Sequence, residues 1–221
     1  MKKYILIASL ILFYFPSCTN KKAHDHEHNH AEHDIAQCTV KVHDHQAMLA
    51  VEPTDGSIFN LTSTWTDQYG KPRKLSDLGS KKSIVSMVYT HCEYACPRIV
   101  ADMEAIKTEL SKNSIEAQNI NYVLISIDPA RDTPERLMEF YKENNFDNDW
   151  VLLTGNEESV MEMAAVLGVQ YKSINSADFS HSNLISVLNS NGEIIHQQQG
   201  LGTSPEETVA YILDEKLLSG N

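Results

Sequence analysis

Cys92-Glu93-Tyr94-Ala95-Cys96-Pro97 is the segment of the chain best equipped for chemistry. Two cysteines with three residues between them share one face of a helical turn, with side chains about 6 Å apart. That separation permits a disulfide between Cys92 and Cys96, and equally permits both sulfurs to face one metal ion. The pair follows Ser83–Tyr89, a nearly unbroken apolar run of strand length, and precedes Pro97, a residue suited to a first helical turn. The cysteines therefore stand where a buried strand hands over to a helix. The positive end of that helix favours thiolate over thiol. Two thiolates make a soft site, selective for Cu(I) and acceptable to zinc. On these residues alone a metal site, a redox dithiol and a pair of core cysteines all remain open.

The surrounding pattern says what positions them. Ile99, Val100, Met103, Ile106 and Leu110 fall on one helical stripe after the pair. Tyr122–Ile127 is a second buried strand, so strand, helix and strand should form a parallel pair through a crossover. Asp132-Thr133-Pro134-Glu135 predicts the start of a second helix running to about Asn144, and reads as a helix cap rather than as chemistry. A third strand is expected over Trp150–Thr154 and a third helix over Glu157–Leu167, stopped by Gly168. Asn183–Leu188 and Glu193–Gln199 flank Asn189-Ser190-Asn191-Gly192, a hairpin signal. Pro205 opens a last helix reaching about Leu218, and Ser57–Leu61 and Ser63–Asp67 read as short strands. A parallel unit followed by an antiparallel hairpin and a terminal helix predicts an α/β, thioredoxin-like fold. Its central mixed sheet is flanked by helices in one domain over residues 53–221.

That domain holds three histidines: His91, His181 and His196. His91 adjoins Cys92 and should point away from the sulfurs, at best standing behind them. His196 alternates along a hairpin strand and should lie at the surface. His181 sits in Asp178-Phe179-Ser180-His181-Ser182, in the loop before the hairpin. In a thioredoxin-like domain that loop faces the cysteine turn, at the place where thioredoxins carry a cis-proline. Here no proline lies between residues 173 and 204. Its absence argues against a general dithiol exchanger, and a histidine there completes an S,S,N site.

The N-terminal quarter has a different composition. Met1-Lys2-Lys3, an apolar stretch over Tyr4–Phe15 and Pro16-Ser17-Cys18 read as a signal peptide over residues 1–18, too short to span a bilayer comfortably. A cysteine directly after the cleavage region resembles a bacterial lipoprotein box. Cys18 is thus the expected lipidation site, and the periplasmic side of a bacterial membrane the expected location. Residues 19–52 read as a His-rich flexible tether with little to bury. His24, His26, His28, His30, His33, His43 and His45 are seven of the ten histidines, and with Cys38 they form an expected accessory metal-binding tract. Removal of residues 1–17 takes Lys2 and Lys3 with it. That leaves 16 basic residues against 30 acidic, formally −14. Nucleic acid, which needs clustered Lys and Arg, is excluded as a partner.

Several blocks together resemble the SCO/SenC family: Tyr89-Thr90-His91-Cys92…Cys96-Pro97, then Ser126-Ile127-Asp128-Pro129…Arg131-Asp132-Thr133-Pro134-Glu135, then Trp150…Leu153-Thr154-Gly155, then His181-Ser182. The match is collinear from about Ile58 to Gly200. The resemblance implies a thioredoxin fold in which Cys92, Cys96 and His181 bind copper, as Cu(I) or Cu(II), with Asp128 as an acid behind the ligands. It also implies a metallochaperone role, loading copper into the dinuclear copper centre of cytochrome c oxidase. The implied partner is the copper-accepting subunit of that oxidase or another periplasmic copper protein, met at the membrane through the lipid anchor. The chain departs from the family at Glu93 and Tyr94, where Pro and Asp are usual, and at Ser180, where Asp is usual. Two other readings stay open. One is a thiol-disulfide oxidoreductase that keeps acceptor cysteines reduced, and the other is a metal-buffering lipoprotein working through its histidine tract.

Overall fold

The apolar run at Ser83 lies at the heart of a seven-stranded sheet. The computed structural model describes residues 54–113, 119–175 and 178–214. In chain order the strands are β1 (Trp65–Asp67), β2 (Pro72–Arg73), β3 (Lys82–Val88), β4 (Ile120–Ser126), β5 (Trp150–Thr154), β6 (Tyr171–Ser173), β7 (Phe179–His181), β8 (Leu184–Leu188) and β9 (Ile194–Gln199). The helices are α1 (Ala95–Leu110), α2 (Pro134–Glu143), α3 (Glu157–Leu167) and α4 (Glu206–Leu213). The main sheet runs β2-β1-β5-β4-β3-β8-β9, and β6 with β7 forms a separate two-stranded sheet. β3, β4 and β5 are parallel, while β1, β8 and β9 join antiparallel. This is the α/β, thioredoxin-like arrangement expected from the sequence.

The central strands are apolar on both faces because helices cover them. Ile84, Val85, Val123, Ile125 and Val187 are fully buried, as are Ile99, Met103 and Ile106 of α1. α1 packs on β3, β8 and α4, and α2 on β5 and β1. The observed β5 and α3 match the expected ranges, and α3 ends at Gly168 in the left-handed conformation (φ 72°). α2 is capped by Thr133, whose hydroxyl accepts from the Arg136 N–H, with Pro134 at its first position.

Other expectations need correction. Ile58–Asn60 is a 3₁₀ turn rather than part of a strand, because the Ser57 hydroxyl caps the Phe59 N–H. Only Trp65–Asp67 of the expected Ser63–Asp67 strand pairs. α1 begins at Ala95, two residues before Pro97. A proline at the third helical position costs no hydrogen bond, since the first N–H groups of a helix have no partner within it. The segment before the hairpin is not a loop, since β7 pairs with β6 and Tyr171 stands opposite His181. Of the expected last helix, α4 accounts for Glu206–Leu213. Cys18, Cys38 and the seven histidines from His24 to His45 lie outside the described residues.

Candidate metal centre

β3 ends at Val88, and the chain turns at once: the Cys92 N–H donates to the Tyr89 carbonyl (3.2 Å). This turn lifts Cys92 above the end of the sheet, half-buried, while Cys96 enters α1 and is 1% exposed. No side chain of Tyr94 caps the helix. The sulfur of Cys92 does so instead, accepting the Cys96 N–H at 3.3 Å. The Tyr89 N–H in turn points at the Cys96 sulfur (3.5 Å). Both cysteines are free thiols.

His181, at the end of β7, brings Nε2 to 3.6 Å from Cys96 Sγ. Its Nδ1 lies 3.1 Å from the Ser182 carbonyl, which can only accept. The ring proton therefore sits on Nδ1, and the Nε2 lone pair faces the sulfurs. Cys92, Cys96 and His181 each offer a ligand atom within 4.8 Å of the others. The sequence-expected trio is thus brought together. Two sulfurs and one oriented imidazole nitrogen form a donor set suited to a soft cation.

The electrostatics split the two thiols. Burial pushes Cys92 up, but the N–H groups of Cys96 and Tyr94 and the side chains of Cys96 and Tyr89 outweigh it, and its pKa falls below the ordinary thiol value. Burial pushes Cys96 far up. The Tyr89 N–H opposes that rise, and the charges of Cys92 and Asp132 reinforce it. Burial also lowers the pKa of His181, against the hydrogen bond to Ser182. The site therefore combines a reactive outer sulfur, an inner sulfur that stays protonated when no cation is present, and a neutral imidazole.

Asp128 and His91 stand in a neighbouring cluster with Asp132, their ligand atoms again within 4.8 Å of one another. Asp128 is ion-paired with Arg131. His91 is exposed and leans on Asp132 (3.6 Å). Asp132 was the residue that sequence reasoning missed as part of the site. It is wholly buried, and its carboxylate accepts from the Thr90 N–H (3.1 Å), the Thr90 hydroxyl (2.6 Å) and the Ser126 hydroxyl (2.6 Å). It clamps the chain two residues before Cys92. The signal available was its place directly before a helix already capped by Thr133, which leaves the aspartate free for other work. His196 is not a plain surface residue: it stacks on Tyr211 (4.2 Å) and lies 3.2 Å from the Thr208 hydroxyl, on the α4 side of β9.

A model of the SCO1/SenC family matches residues 51–215. An SCO2-like protein of Rickettsia typhi is 30% identical over 155 residues, which cover 67% of this chain and 73% of its own. Bradyrhizobium japonicum ScoI, solved with copper bound, is 26% identical with a TM-score of 0.57, over 68% of this chain and 94% of that one. An SCO1/SenC family lipoprotein from Bacillus anthracis shares the fold at 24% identity, with a TM-score of 0.63 over 73% and 95% of the two chains.

Proposed function

The chain belongs to the SCO1/SenC family, and on that footing we propose that it is a copper metallochaperone that binds copper through Cys92, Cys96 and His181. The observation that carries this reading is the convergence of the two sulfurs and Nε2 within 4.8 Å of one another. Copper bound in the ScoI relative supports the choice of cation, and so does the softness of the donor set. The acceptor is the dinuclear copper centre of a respiratory cytochrome c oxidase. There, thiolates can take the cargo by ligand exchange from the half-exposed Cys92 side. Residues 1–18 export the chain, and a lipid on Cys18 holds it at the periplasmic face of a bacterial membrane, with residues 19–52 as tether and accessory metal tract.

Purified reduced protein given one equivalent of Cu(I) binds it stoichiometrically. His181→Ala, Cys92→Ser and Cys96→Ser each weaken that binding by at least about tenfold, the loss of one ligand bond's worth of free energy. Binding unchanged in any of the three removes the three-ligand site. Transfer is read by mixing loaded protein with the copper-accepting oxidase domain and following which partner holds the metal.

The unequal thiols favour a second reading, a thiol-disulfide oxidoreductase. A reactive outer sulfur and a protonated, buried inner one suit attack followed by resolution into a Cys92–Cys96 disulfide. The His181→Ala variant separates the two: it retains dithiol reductase activity if thiol chemistry is the business, and it loses copper if metal delivery is.

A further inference from the structure

Residues 71–82 hold five basic side chains and one acidic, formally +4 in a chain of −12, so the remainder carries −16. The segment walls a cavity of about 310 Å³, at the small end of the range that ligand pockets occupy. Arg73, Lys74 and Lys81 line it together with Leu78, Val151 and Leu153. Arg73 gives its Nε–H to the buried Asp67 (2.8 Å) and has further N–H donors on the same guanidinium. Asp77, the one carboxylate on the cavity, already accepts the Lys74 N–H at 2.9 Å. Among the described residues the ion-paired lysines are Lys107 and Lys112, and Lys74 and Lys81 have no carboxylate partner. The place of the cavity matters as much as its charge. Lys81 and Asn121 line it where β3 and β4 begin, whereas Cys92 follows the other end of β3. Ile58–Asn60 adjoins the same wall, since a Cβ at Gly79 would lie 3.9 Å from the Phe59 ring. The Ile58 N–H donates to the Gly192 carbonyl (3.0 Å), in the turn after β8, whose last residue Leu188 pairs with Ser83. The chain thus leads back toward residues 1–53 from the basic end of the sheet, opposite the cysteines.

We infer that this cavity takes the phosphate headgroup of an anionic phospholipid and so turns the end of the domain opposite Cys92 toward the membrane. The inference rests on the anchor proposed for Cys18, which brings the domain to a bilayer, and is independent of copper. Two ammonium groups and a guanidinium suit a phosphate anion, and the side chains of Leu78, Val151 and Leu153 suit the glycerol carbons beside it. Each lysine near an anionic surface strengthens binding about fivefold, and the effect fades within a Debye length. The acidic remainder of the chain is repelled by the same surface, so the basic end alone is drawn in. A lipid anchor with a basic patch is a two-signal attachment. Here the second signal sets orientation, and Cys92 is presented away from the bilayer.

Lysine footprinting of the full chain on vesicles tests this. Protein is mixed with an excess of phosphatidylcholine vesicles, or of vesicles of equal parts phosphatidylcholine and phosphatidylglycerol, and acetylated briefly. Mass spectrometry then reads each lysine. Lys74 and Lys81 are acetylated about fivefold more slowly on the phosphatidylglycerol vesicles. Lys172, which stands opposite Ser180 on the strand pair that carries His181, is labelled equally on both. Lys74→Glu returns Lys81 to its phosphatidylcholine rate. Inorganic phosphate added to phosphatidylcholine vesicles separates a free anion from the headgroup and leaves both lysines unprotected. Equal labelling of Lys74 and Lys81 on the two vesicles overturns the inference, as does equal protection by inorganic phosphate, or equal protection of Lys172. Flotation with phosphatidylcholine vesicles reads the anchor by itself. A chain that fails to float overturns the lipid on Cys18, while the lysine rates with excess phosphatidylglycerol vesicles still decide the pocket.

Discussion

His181 Nε2 lies 3.6 Å from Cys96 Sγ, although 85 positions separate the two residues. The contact is made by elements of different kinds: a sulfur on the second residue of a long helix, and a ring on the last residue of a three-residue strand. The helix is anchored in the core by Ile99, Met103 and Ile106. The strand is held by β6 and by the Phe179 ring, which packs on Tyr89 at 5.3 Å. The Cys96 sulfur is thus fixed from the core and the imidazole from the periphery. The histidine side is the less strongly held of the two.

The two thiols should be separable by alkylation. Cys92 is half-buried with its pKa lowered, so its thiolate forms at a lower pH than an ordinary thiol's, and it should be alkylated first. Cys96 is 1% exposed with its pKa raised, and should stay unlabelled. Peptide mapping after brief iodoacetamide treatment of the reduced protein reads the order directly, and one equivalent of Cu(I) should protect Cys92. Labelling of Cys96 first would contradict the geometry.

Asp132→Asn should cost about 2–4 kcal/mol of stability in the copper-free protein. The carboxylate accepts from three donors, all buried. An amide there offers one accepting oxygen and turns its NH₂ toward a hydroxyl or N–H. Urea unfolding measures the loss. Because Thr90 then releases the start of the cysteine turn, copper affinity should fall as well. An unaltered midpoint would show that the clamp holds nothing.

The interior of the fold was legible because burial on both faces writes itself as an unbroken apolar run. β3, β4 and β5 are such runs, and α1 shows its stripe from Ile99 to Leu110. Trp150–Thr154 and Glu157–Leu167 could be bounded to the residue because Asn156 caps the helix and Gly168 ends it. Cys92 and Cys96 were legible as a candidate site from their spacing, and His181 as its third member from its place before the hairpin; the structure brings the three donor atoms together. β6 and β7 were not, because Tyr-Lys-Ser and Phe-Ser-His carry no alternation long enough to signal a strand. Contacts with Tyr89 and each other hold them there. Asp132 was hidden for a related reason: a carboxylate before a helix reads as a cap, and only the fold brings Thr90 and Ser126 to it.

Gly155→Ala should destabilise by about 1–3 kcal/mol. A Cβ at this position would lie 2.9 Å from the buried Trp65 ring and 3.2 Å from Ser159 Cβ. Trp65 is 1% exposed and has no room to retreat. The strain falls between β5 and α3, away from the cysteines, so the copper affinity of the folded variant should match the wild type. Thermal unfolding beside a copper titration checks both parts, and a stability equal to wild type would mean the strand end yields easily.

Acidification should loosen the copper-free fold and empty the loaded site, in both cases partly through His181. Burial lowers its pKa from the ordinary 6.5. Between 6.5 and the lowered value, the unfolded chain binds a proton that the folded chain refuses. Unfolding is therefore favoured as pH falls through that window, and the stability present above 6.5 is progressively lost. His196, also lowered by burial, acts in the same direction. In the loaded protein a proton competes for Nε2 itself, since Nδ1 is already committed to the Ser182 carbonyl. Unfolding free energies measured from pH 7 to pH 5 should slope upward with pH, and His181→Gln should flatten that slope while leaving the part due to His196. The same variant should shed the acid-dependent portion of copper release. A wild-type slope of the opposite sign, or one indifferent to His181→Gln, would mean that the imidazole is not held neutral over the sulfurs.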